Sequence, residues 1–525
     1  MDPAGAEVAP RVAPLAPGPT CTASMTVQAA ERFPEMSPAE LRAAFFRVFP
    51  SVALAIILGS ADQTIVATAL PAIAGEFGAL DQVTWVVVAY LVAATIAAPV
   101  FGRLADAFGR RRLLLVGLVA HGAGALLCAL SGDFGGLVLG RLVQGCGGGA
   151  LTTLTMALIG EALPPRERGR FQAYIASCFV LASSAGPLVG GWLTQHYGWR
   201  ACFWVMLPLL ALAFALALRL PRRAAPGAGQ PFSFDAWGAL LFAGFVGPAL
   251  LAFSQLQQLT AAALPLAFFL GVAALACLFL LWCQERTARH PLLPLGLLAQ
   301  PVIWRADLMS GLVHGAFVSL VTFLPIYLQT ARGLAPSAAG ALLLPFSIGG
   351  FLGGMFAGQM MTRTGLAMIL PSIGLPVATA LLVLAAVFAE VLPDFALALL
   401  FGLAAMGMST SYPVVQITVQ VAAGPARLGA AAASVQFARS LGAAAATALL
   451  GALLFGSLAA HDPAAASLFG RLVREGAGLL PTLPEADRTL LAAGLASGFR
   501  AAFLGAAGLV ALGAVLAWRV PMRRI

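Results

Sequence analysis

The sequence has no lysine and few charged residues of any kind. Its 30 basic residues are all arginines, and charged residues make up 10% of the 525 positions, whereas 60% are hydrophobic. Because a soluble domain carries roughly 25% charged residues, a chain this poor in charge cannot cover a water-facing surface. The composition therefore excludes an ordinary soluble protein and indicates one embedded in a membrane.

The sequence also lacks the common signatures of metal, redox and nucleotide chemistry. Its seven cysteines form no CxxC pair. No HExxH, GxSxG or P-loop pattern occurs, so we expect no metal, no cofactor and no enzyme activity, and no direct use of ATP. The net charge of +9 comes from arginines spread along the chain, which argues against nucleic acid as a partner.

Apolar runs long enough to cross a bilayer recur along the chain. A transmembrane helix needs about 20 mostly apolar residues, and about fourteen runs meet that length. They predict an all-α polytopic membrane protein of two six-helix halves related by pseudo-two-fold symmetry, with two additional central spans. The predicted spans lie near 50–73, 84–101, 113–131, 134–160, 171–193, 201–219, 235–254, 260–283, 305–329, 337–361, 367–390, 395–421, 430–458 and 499–519.

Composition shifts between these runs divide the chain into four parts. The Pro/Ala-rich segment 1–45 is predicted to be a disordered cytoplasmic tail, and 46–220 the N-terminal half. Residues 221–300 form a linker that carries the two extra spans, and 301–525 form the C-terminal half. This half includes an extracytoplasmic loop at 459–498, which is either a contact for a periplasmic adaptor or an idle connector.

Arginine is distributed unevenly between the two ends of the predicted spans. Most arginines lie in the loops and flanks of one end, whereas the short loops of the other end hold only Arg200 and Arg332. Positive charge concentrates on the cytoplasmic side of membrane proteins. We therefore predict a multi-pass protein of the cell (inner) membrane with both termini in the cytoplasm.

Two charged residues fall deep inside predicted spans. Asp62 lies about midway along 50–73, and Arg141 lies well inside 134–160. An ionisable residue at that depth costs about 2.5–3.5 kcal/mol and is accepted mainly where it has a partner or faces a polar cavity. Asp62 therefore indicates a membrane protein that moves protons or cations.

One segment is repeated weakly between the two halves. Gly102–Gly109 is echoed by Gly358–Gly365, since both follow the second span of a half and both begin and end with glycine. In the second copy Thr362 stands in the place of an aspartate. Repeated halves are typical of transporters whose binding site lies between them.

Four segments, taken in order, carry a family resemblance. They are the Asp62 segment, Gly102–Arg112 (GRLADAFGRRR), Arg141–Gly145 (RLVQG) and Gly186–Gly191 (GPLVGG). Together they resemble the major facilitator superfamily, and specifically its fourteen-span drug:proton antiporters. The resemblance implies proton-driven export of small hydrophobic or amphipathic compounds (multidrug efflux and antibiotic resistance) by alternating access. Asp62 would carry or gate the proton and Arg141 would tune it, with a purely structural ion pair between the two as the alternative.

The resemblance also implies that the loop after the second span latches the two halves together; an ordinary basic loop is the alternative. From the residues alone, Asp106 can cap the next helix and pair with Arg110 or Arg111. The gating residues assigned to this loop are Gly102, Asp106, Gly109, Arg110 and Arg111.

The GPLVGG segment is implied to form a hinge with a leak-proof seam. Small residues four apart let helices touch closely, and a proline bends a helix because it removes a backbone hydrogen bond. Plain packing of small residues is the alternative. The residues are Gly186, Pro187, Gly190 and Gly191.

The C-terminal half offers a second candidate site for proton coupling. Asp307 and His314 are seven residues apart and hence on one helix face. The alternatives are that Asp307 pairs with Arg305 and that His314 is a satisfied core histidine. Polar and aromatic residues predicted to line a substrate cavity are Gln63, Tyr90, Gln144, Phe317 and Tyr412.

Two other functions fit the sequence less well. A dedicated exporter of one endogenous metabolite would share the same mechanics. A non-transporting membrane sensor or a membrane-embedded enzyme would need a signalling domain or a catalytic motif, and neither is evident in the sequence. The expected partners are a small-molecule substrate, protons and the lipid bilayer.

Overall fold

The computed structural model describes residues 37–78, 82–83, 85–221, 234–258, 263–288, 291–292, 295–334, 336–462, 468–469 and 484–524. The regular elements in these ranges are helices. They are α1 (Pro38–Phe77), α2 (Trp85–Phe108), α3 (Arg110–Leu130), α4 (Phe134–Ala162), α5 (Pro165–Tyr197), α6 (Ala201–Trp204), α7 (Met206–Leu218), α8 (Ala236–Gln258), α9 (Ala263–Thr287), α10 (Leu295–Leu298), α11 (Pro301–Thr330), α12 (Pro336–Leu342), α13 (Leu344–Thr364), α14 (Ile369–Phe388), α15 (Asp394–Ser409), α16 (Ser411–Ala423), α17 (Leu428–His461) and α18 (Glu485–Arg519).

The predicted all-α polytopic fold is confirmed. In the described part of the chain, thirteen helical stretches are long and apolar enough to cross a membrane. Helix α5 is not among the thirteen, but it covers the predicted span 171–193 and has 33 residues, where about 20 suffice. Each of the fourteen predicted spans therefore coincides with a long helical stretch.

Each half has its own hydrophobic core. One core joins buried side chains of α1 to α7, from Leu41 to Leu220. The other joins buried side chains from Leu297 to Val520. The extra pair α8 and α9 packs through Phe242 against Phe437 of α17, and its cluster also contacts Val92 of α2. The two additional spans thus lie against the α2–α17 side of the interface between the halves.

The first helix begins within the range assigned to the tail. Ser37 and Glu40 form a reciprocal capping box, in which the Ser37 hydroxyl accepts from the Glu40 N–H at 3.3 Å and Glu40 accepts from the Ser37 N–H at 2.7 Å. This pattern satisfies two otherwise free backbone donors. The rest of the predicted tail, and parts of the predicted 221–300 linker and 459–498 loop, lie outside the described residues.

Candidate functional site

A buried ion pair connects α1 and α4 in the N-terminal half. Arg141 Nη1 donates to Asp62 Oδ2 at 2.7 Å and to Gln144 Oε1 at 2.7 Å, while Gln144 Nε2 donates to Asp62 Oδ1 at 2.7 Å. All three side chains have no exposed surface. The pairing of Asp62 with Arg141 that the sequence predicts is therefore present, and Gln144 closes the arrangement into a ring of three hydrogen bonds.

Three further residues contact this cluster. The Arg141 guanidinium lies 4.4 Å from the centre of the Tyr90 ring, and its Nε donates to the Val86 carbonyl at 3.0 Å. His121 Nδ1 lies 3.1 Å from the Gln144 carbonyl oxygen. Arg141 Nη2 and His121 Nε2 are buried with no hydrogen-bond partner among the described residues. The Arg141 guanidinium therefore has an N–H donor that no described residue accepts from.

Tyr90 and Gln144, both predicted to line a substrate cavity, are buried in this cluster. A run of glycines in α4 places them there. A Cβ on Gly148 would lie 2.1 Å from the Tyr90 hydroxyl, and one on Gly145 would lie 2.4 Å from the Tyr90 carbonyl oxygen. Because no larger residue fits at either position, α4 packs directly onto α2. The glycines between Gly145 and Gly149 could have predicted this contact from the sequence, but they lie beyond the RLVQG segment, except for Gly145.

A second polar cluster lies at the C-terminal end of α2. We call this end of the helix bundle the Asp106 end. The Asp106 carboxylate accepts from Arg110 Nη2 at 3.0 Å, from the Gly429 N–H at 3.0 Å and from the Ala430 N–H at 3.1 Å. Arg110 also pairs with Glu161 at 2.8 Å. Asp106 therefore caps the first turn of α17, which belongs to the opposite half. The expectation that it caps α3 was wrong, since α3 has no side-chain cap at Gly109.

The remaining residues of the loop have separate roles in the structure. Gly109 has φ of +97°, a conformation that favours glycine and that turns the chain from α2 into α3. Arg111 points to the end of α7, where it donates to the Ala217 carbonyl at 3.2 Å. Arg111 therefore stabilises the N-terminal half and makes no described contact across the interface.

Backbone contacts at two crossings hold the halves together at the Asp106 end. A Cβ on Gly102 of α2 would lie 2.6 Å from the Gly429 oxygen of α17, and one on Gly169 of α5 would lie 2.2 Å from the Gly358 oxygen of α13. Gly102 and Gly358 are the first residues of the repeated segment. The repeat thus marks two pseudo-equivalent crossings, each with glycine on both helices.

A third connection at this end involves residues that sequence reasoning did not single out. Arg168 Nη1 donates to Gln420 Oε1 of α16 at 3.0 Å, and Gln420 Nε2 donates to the Met156 carbonyl at 3.2 Å. In contrast, the described ion pairs at the opposite ends of the helices each join helices of one half, as in Glu76–Arg200 and Glu390–Arg500. The described hydrogen bonds across the interface therefore lie at the Asp106 end.

The α1–α5 seam is formed by Gly186 and Gly190. A Cβ on Gly186 would lie 1.9 Å from Thr64 Oγ1, and one on Gly190 would lie 2.5 Å from Thr68 Oγ1. The Thr64 hydroxyl also donates to the Ala182 carbonyl of α5 at 3.3 Å. Pro187 lies inside α5 and is exposed, and Gly191 has no neighbour within 4 Å of a built Cβ.

We expect Gly186→Ala to destabilise the protein by about 1–3 kcal/mol, because the added methyl group must displace Thr64 in a packed seam. Gly191→Ala is the matched control on the same helix, where the methyl group meets open space. Thermal unfolding of the two purified variants in one detergent measures the difference. Equal unfolding temperatures would show that the seam tolerates a side chain and would contradict this account.

The C-terminal half contains a third polar cluster, on α11, α16 and α17. Arg439 Nε donates to Ser310 Oγ at 3.0 Å, and Nη2 donates to the Tyr412 carbonyl at 3.2 Å. His314 Nδ1 is hydrogen-bonded to the Tyr412 hydroxyl. Asp307 is buried near Ser434 and Arg439, but it forms no ion pair within 4 Å among the described residues, and its Oδ1 has no hydrogen-bond partner there. Asp307 and His314 therefore join one network through Arg439.

The alternative given for Asp307, an ion pair with Arg305, is not formed among the described salt bridges. Arg305 Nη1 instead donates to the Arg519 carbonyl at 2.5 Å. Among the predicted cavity residues, Gln63 is exposed, whereas Phe317 and Tyr412 are half-buried. The Phe317 ring packs 4.7 Å from Phe346 and 6.2 Å from Tyr412, centre to centre.

Metal-ligand clustering is absent from the described residues, since no three His, Cys, Asp or Glu side chains there are close enough to hold an ion. The three polar clusters therefore consist of hydrogen bonds and ion pairs in the interior of a helical membrane protein. This chemistry suits the movement of charge and of helices.

Comparison with known families identifies the fold. Residues 52–447 match the family model described as Major Facilitator Superfamily. The chain belongs to the Major Facilitator Superfamily. This result confirms the family resemblance inferred from the four segments.

Relatives and solved structures agree with the family. The chain is 32% identical over 442 residues to an uncharacterized MFS-type transporter of Mycobacterium tuberculosis, covering 83% of this chain and 62% of that one. It is 28% identical to the multidrug transporter protein MdtP of Bacillus subtilis, covering 76% and 74%. The human organic anion transporter MFSD10 superposes with a TM-score of 0.60 at 17% identity, over 92% of this chain and 100% of that one, which shows the fold alone. The chain spans about three fifths of the length of the first curated relatives it matches.

Proposed function

We propose that this superfamily member is a proton-driven antiporter that exports small hydrophobic or amphipathic compounds across the cell membrane by alternating access. The observation that carries the proposal is the buried Asp62–Arg141 pair in the middle of the membrane-spanning region. Two Bacillus subtilis relatives named for multidrug resistance or transport support the substrate class. The arginine distribution supports an inner-membrane location with cytoplasmic termini.

The Asp62 cluster has the properties that a proton-coupling site needs. A buried ion pair is costly to desolvate, and removal of one charge leaves the other uncompensated. Protonation of Asp62 would remove the counter-charge of Arg141, whose Nη2 already lacks a partner. The hydrogen bonds among α1, α2 and α4 would then have to rearrange. A single proton can thereby change the packing of the N-terminal half.

The interface contacts provide the gate. In this conformation the halves are held together at the Asp106 end by Asp106, by the glycine crossings and by Arg168. If that end is cytoplasmic, as the arginine distribution predicts, the conformation is closed to the cytoplasm. Substrate would enter from the cytoplasm only after these contacts part. Gly186 and Gly190 would keep α1 and α5 sealed during the movement.

Asp307 and His314 are proposed as a second protonatable site. Both lie on α11 in contact or electrostatic interaction with the network around Arg439 and Tyr412. Gln63, Phe317 and Tyr412 are proposed to line the substrate path. A periplasmic adaptor remains a proposal whose predicted contact, the loop 459–498, lies mostly outside the described residues.

The proposed function predicts substrate-dependent proton movement across the membrane of vesicles that contain the protein. Wild-type protein in inverted membrane vesicles with an imposed pH gradient and a pH-reporting dye should dissipate the gradient when a transported compound is added. A panel of lipophilic cations, neutral antibiotics and organic anions covers the charge classes. A response to several unrelated compounds supports multidrug efflux, and a response to one compound favours the dedicated exporter. No response from folded protein to any compound would contradict multidrug efflux and favour a dedicated exporter or a non-transporting role.

A further inference from the structure

Near the middle of the C-terminal half, the half-buried Arg439 carries a positive charge. Asp62 is fully buried and already paired with Arg141. Arg439 is half-buried, and Asp307 interacts with it electrostatically without forming an ion pair within 4 Å. Its Nε and Nη2 donate to Ser310 and Tyr412, and its Nη1 makes no hydrogen bond to the described residues. A guanidinium deep in a membrane protein needs a partner or a wet cavity.

Aromatic surface adjoins this guanidinium. Arg439 lies 4.8 Å from the centre of the Tyr412 ring, and Tyr412 in turn contacts His314 and Phe317. These three residues are half-buried, as Arg439 is. A guanidinium with an unused N–H donor beside aromatic rings can bind a ligand that has an acidic group attached to an aromatic or apolar body.

The position of Arg439 in the fold agrees with a binding role. Gly311 and Gly315 of α11 pack onto α17, where a Cβ would lie 2.7 Å from the Ala438 oxygen and 2.4 Å from the Gly442 oxygen. On another side of α17, Phe437 packs against Phe242 of α8. Arg439 is therefore held on a helix that packs closely on both flanks, so the guanidinium is fixed in place before a ligand arrives.

We propose that Arg439, together with Tyr412, His314 and Phe317, forms a substrate subsite for amphipathic organic anions. The anion's oxygens bind the guanidinium, and its rings pack on the aromatic residues. The inference rests on the proposed transport function and specifies its substrate class. It places the substrate-binding charge on a cation of the C-terminal half, because the Asp62 carboxylate is already paired with Arg141 in the interior.

A matched pair of ligands tests the subsite. Anilinonaphthalene sulfonate and N-phenylnaphthylamine share the same rings and differ by the sulfonate. Their affinities are measured by calorimetry for full-length protein in phosphatidylcholine nanodiscs, with empty nanodiscs subtracted. We expect the wild type to bind the sulfonate more tightly than the neutral compound. Arg439→Gln should weaken sulfonate binding by about tenfold or more, as expected for one charge-assisted interaction, and should leave binding of the neutral compound unchanged.

Two control variants separate binding from folding. Arg47→Gln removes one exposed arginine of α1 and should have no effect on either ligand. Arg439→Lys keeps the charge and should recover part of the sulfonate affinity, which a merely structural role would not require.

The inference is overturned if the wild type shows no preference for the sulfonate, if Arg439→Gln leaves sulfonate affinity unchanged, or if both affinities fall together. The vesicle assay with the wild type judges antiport independently, since cations or neutral compounds that release protons would sustain the antiporter while this subsite fails.

Discussion

Asp62→Asn should abolish gradient-driven transport while leaving substrate exchange intact. Asparagine keeps the size of the side chain and one acceptor for Arg141, but it cannot bind and release a proton. A carrier without the proton step can only equilibrate its substrate, so the accumulation ratio in proteoliposomes with an imposed pH gradient should fall to about one. Exchange of labelled for unlabelled substrate should continue, because both half-reactions then occur with substrate bound.

The control for this experiment is Glu76→Gln. Glu76 lies on the same helix and is also paired, with Arg200 at 2.7 Å, but at the exposed end of α1. Its loss should leave accumulation unchanged, since exposed ion pairs contribute about 0–1 kcal/mol. Loss of exchange together with accumulation in Asp62→Asn would contradict the assignment, because it would show that Asp62 binds substrate or supports the fold. Persistent accumulation would move the proton site elsewhere, with Asp307 and His314 as the next candidates.

Asp106→Asn should open the Asp106 end of the interface. The carboxylate accepts hydrogen bonds from Arg110, Gly429 and Ala430, whereas an asparagine has one acceptor and would turn an amide donor toward these donors. Hydrogen bonds to charged groups contribute about 1.5–3 kcal/mol each, so the loss of one should raise the ratio of open to closed molecules about tenfold or more. Electron–electron distance measurements between spin labels at Arg112 and Arg427, in a cysteine-free background, would record the opening as a longer distance.

Asp133→Asn is the matched control for the Asp106 variant. Asp133 also caps a helix, α4, by accepting from the Gly136 N–H at 2.8 Å, but this contact lies within the N-terminal half. Its substitution should leave the label distance unchanged. An unchanged distance in Asp106→Asn as well would show that the glycine crossings and the Arg168–Gln420 hydrogen bond keep the interface closed without Asp106.

The sequence was sufficient to predict contacts of residues that can be buried in a membrane in only one way. A carboxylate and an arginine in the middle of two adjacent spans must be paired or wet, and Asp62 and Arg141 are paired. The fourteen helical stretches follow from the length of the apolar runs, because a bilayer fixes the length of a spanning helix. The glycine motifs follow from the need for close helix contact.

The sequence was insufficient where the partner is distant or offers only backbone atoms. Asp106 was expected to cap the helix beginning a few residues later, yet it caps a helix more than 300 positions away, and no side-chain pattern marks backbone N–H groups as partners. In the sequence, Arg168 cannot be distinguished from the other loop arginines, although its guanidinium hydrogen-bonds to Gln420 in the other half. Gln144 is three residues from Arg141 and hence on the same helix face, so that contact was within reach of sequence reasoning.

The interface contacts share an asymmetry that bears on the speed of switching. At the Asp106 end, several described hydrogen bonds connect the two halves. In those that involve a charged side chain, the charged group belongs to the N-terminal half and its partner in the C-terminal half is neutral, as with Asp106 and Gly429 or Arg168 and Gln420. The charged groups Asp106, Arg110 and Glu161 are paired with one another within one half. When the halves part, no described ion pair has to be split across the gap. These described ion pairs therefore add no work of charge separation to the activation barrier for opening, and their part in the opening rate should depend little on ionic strength.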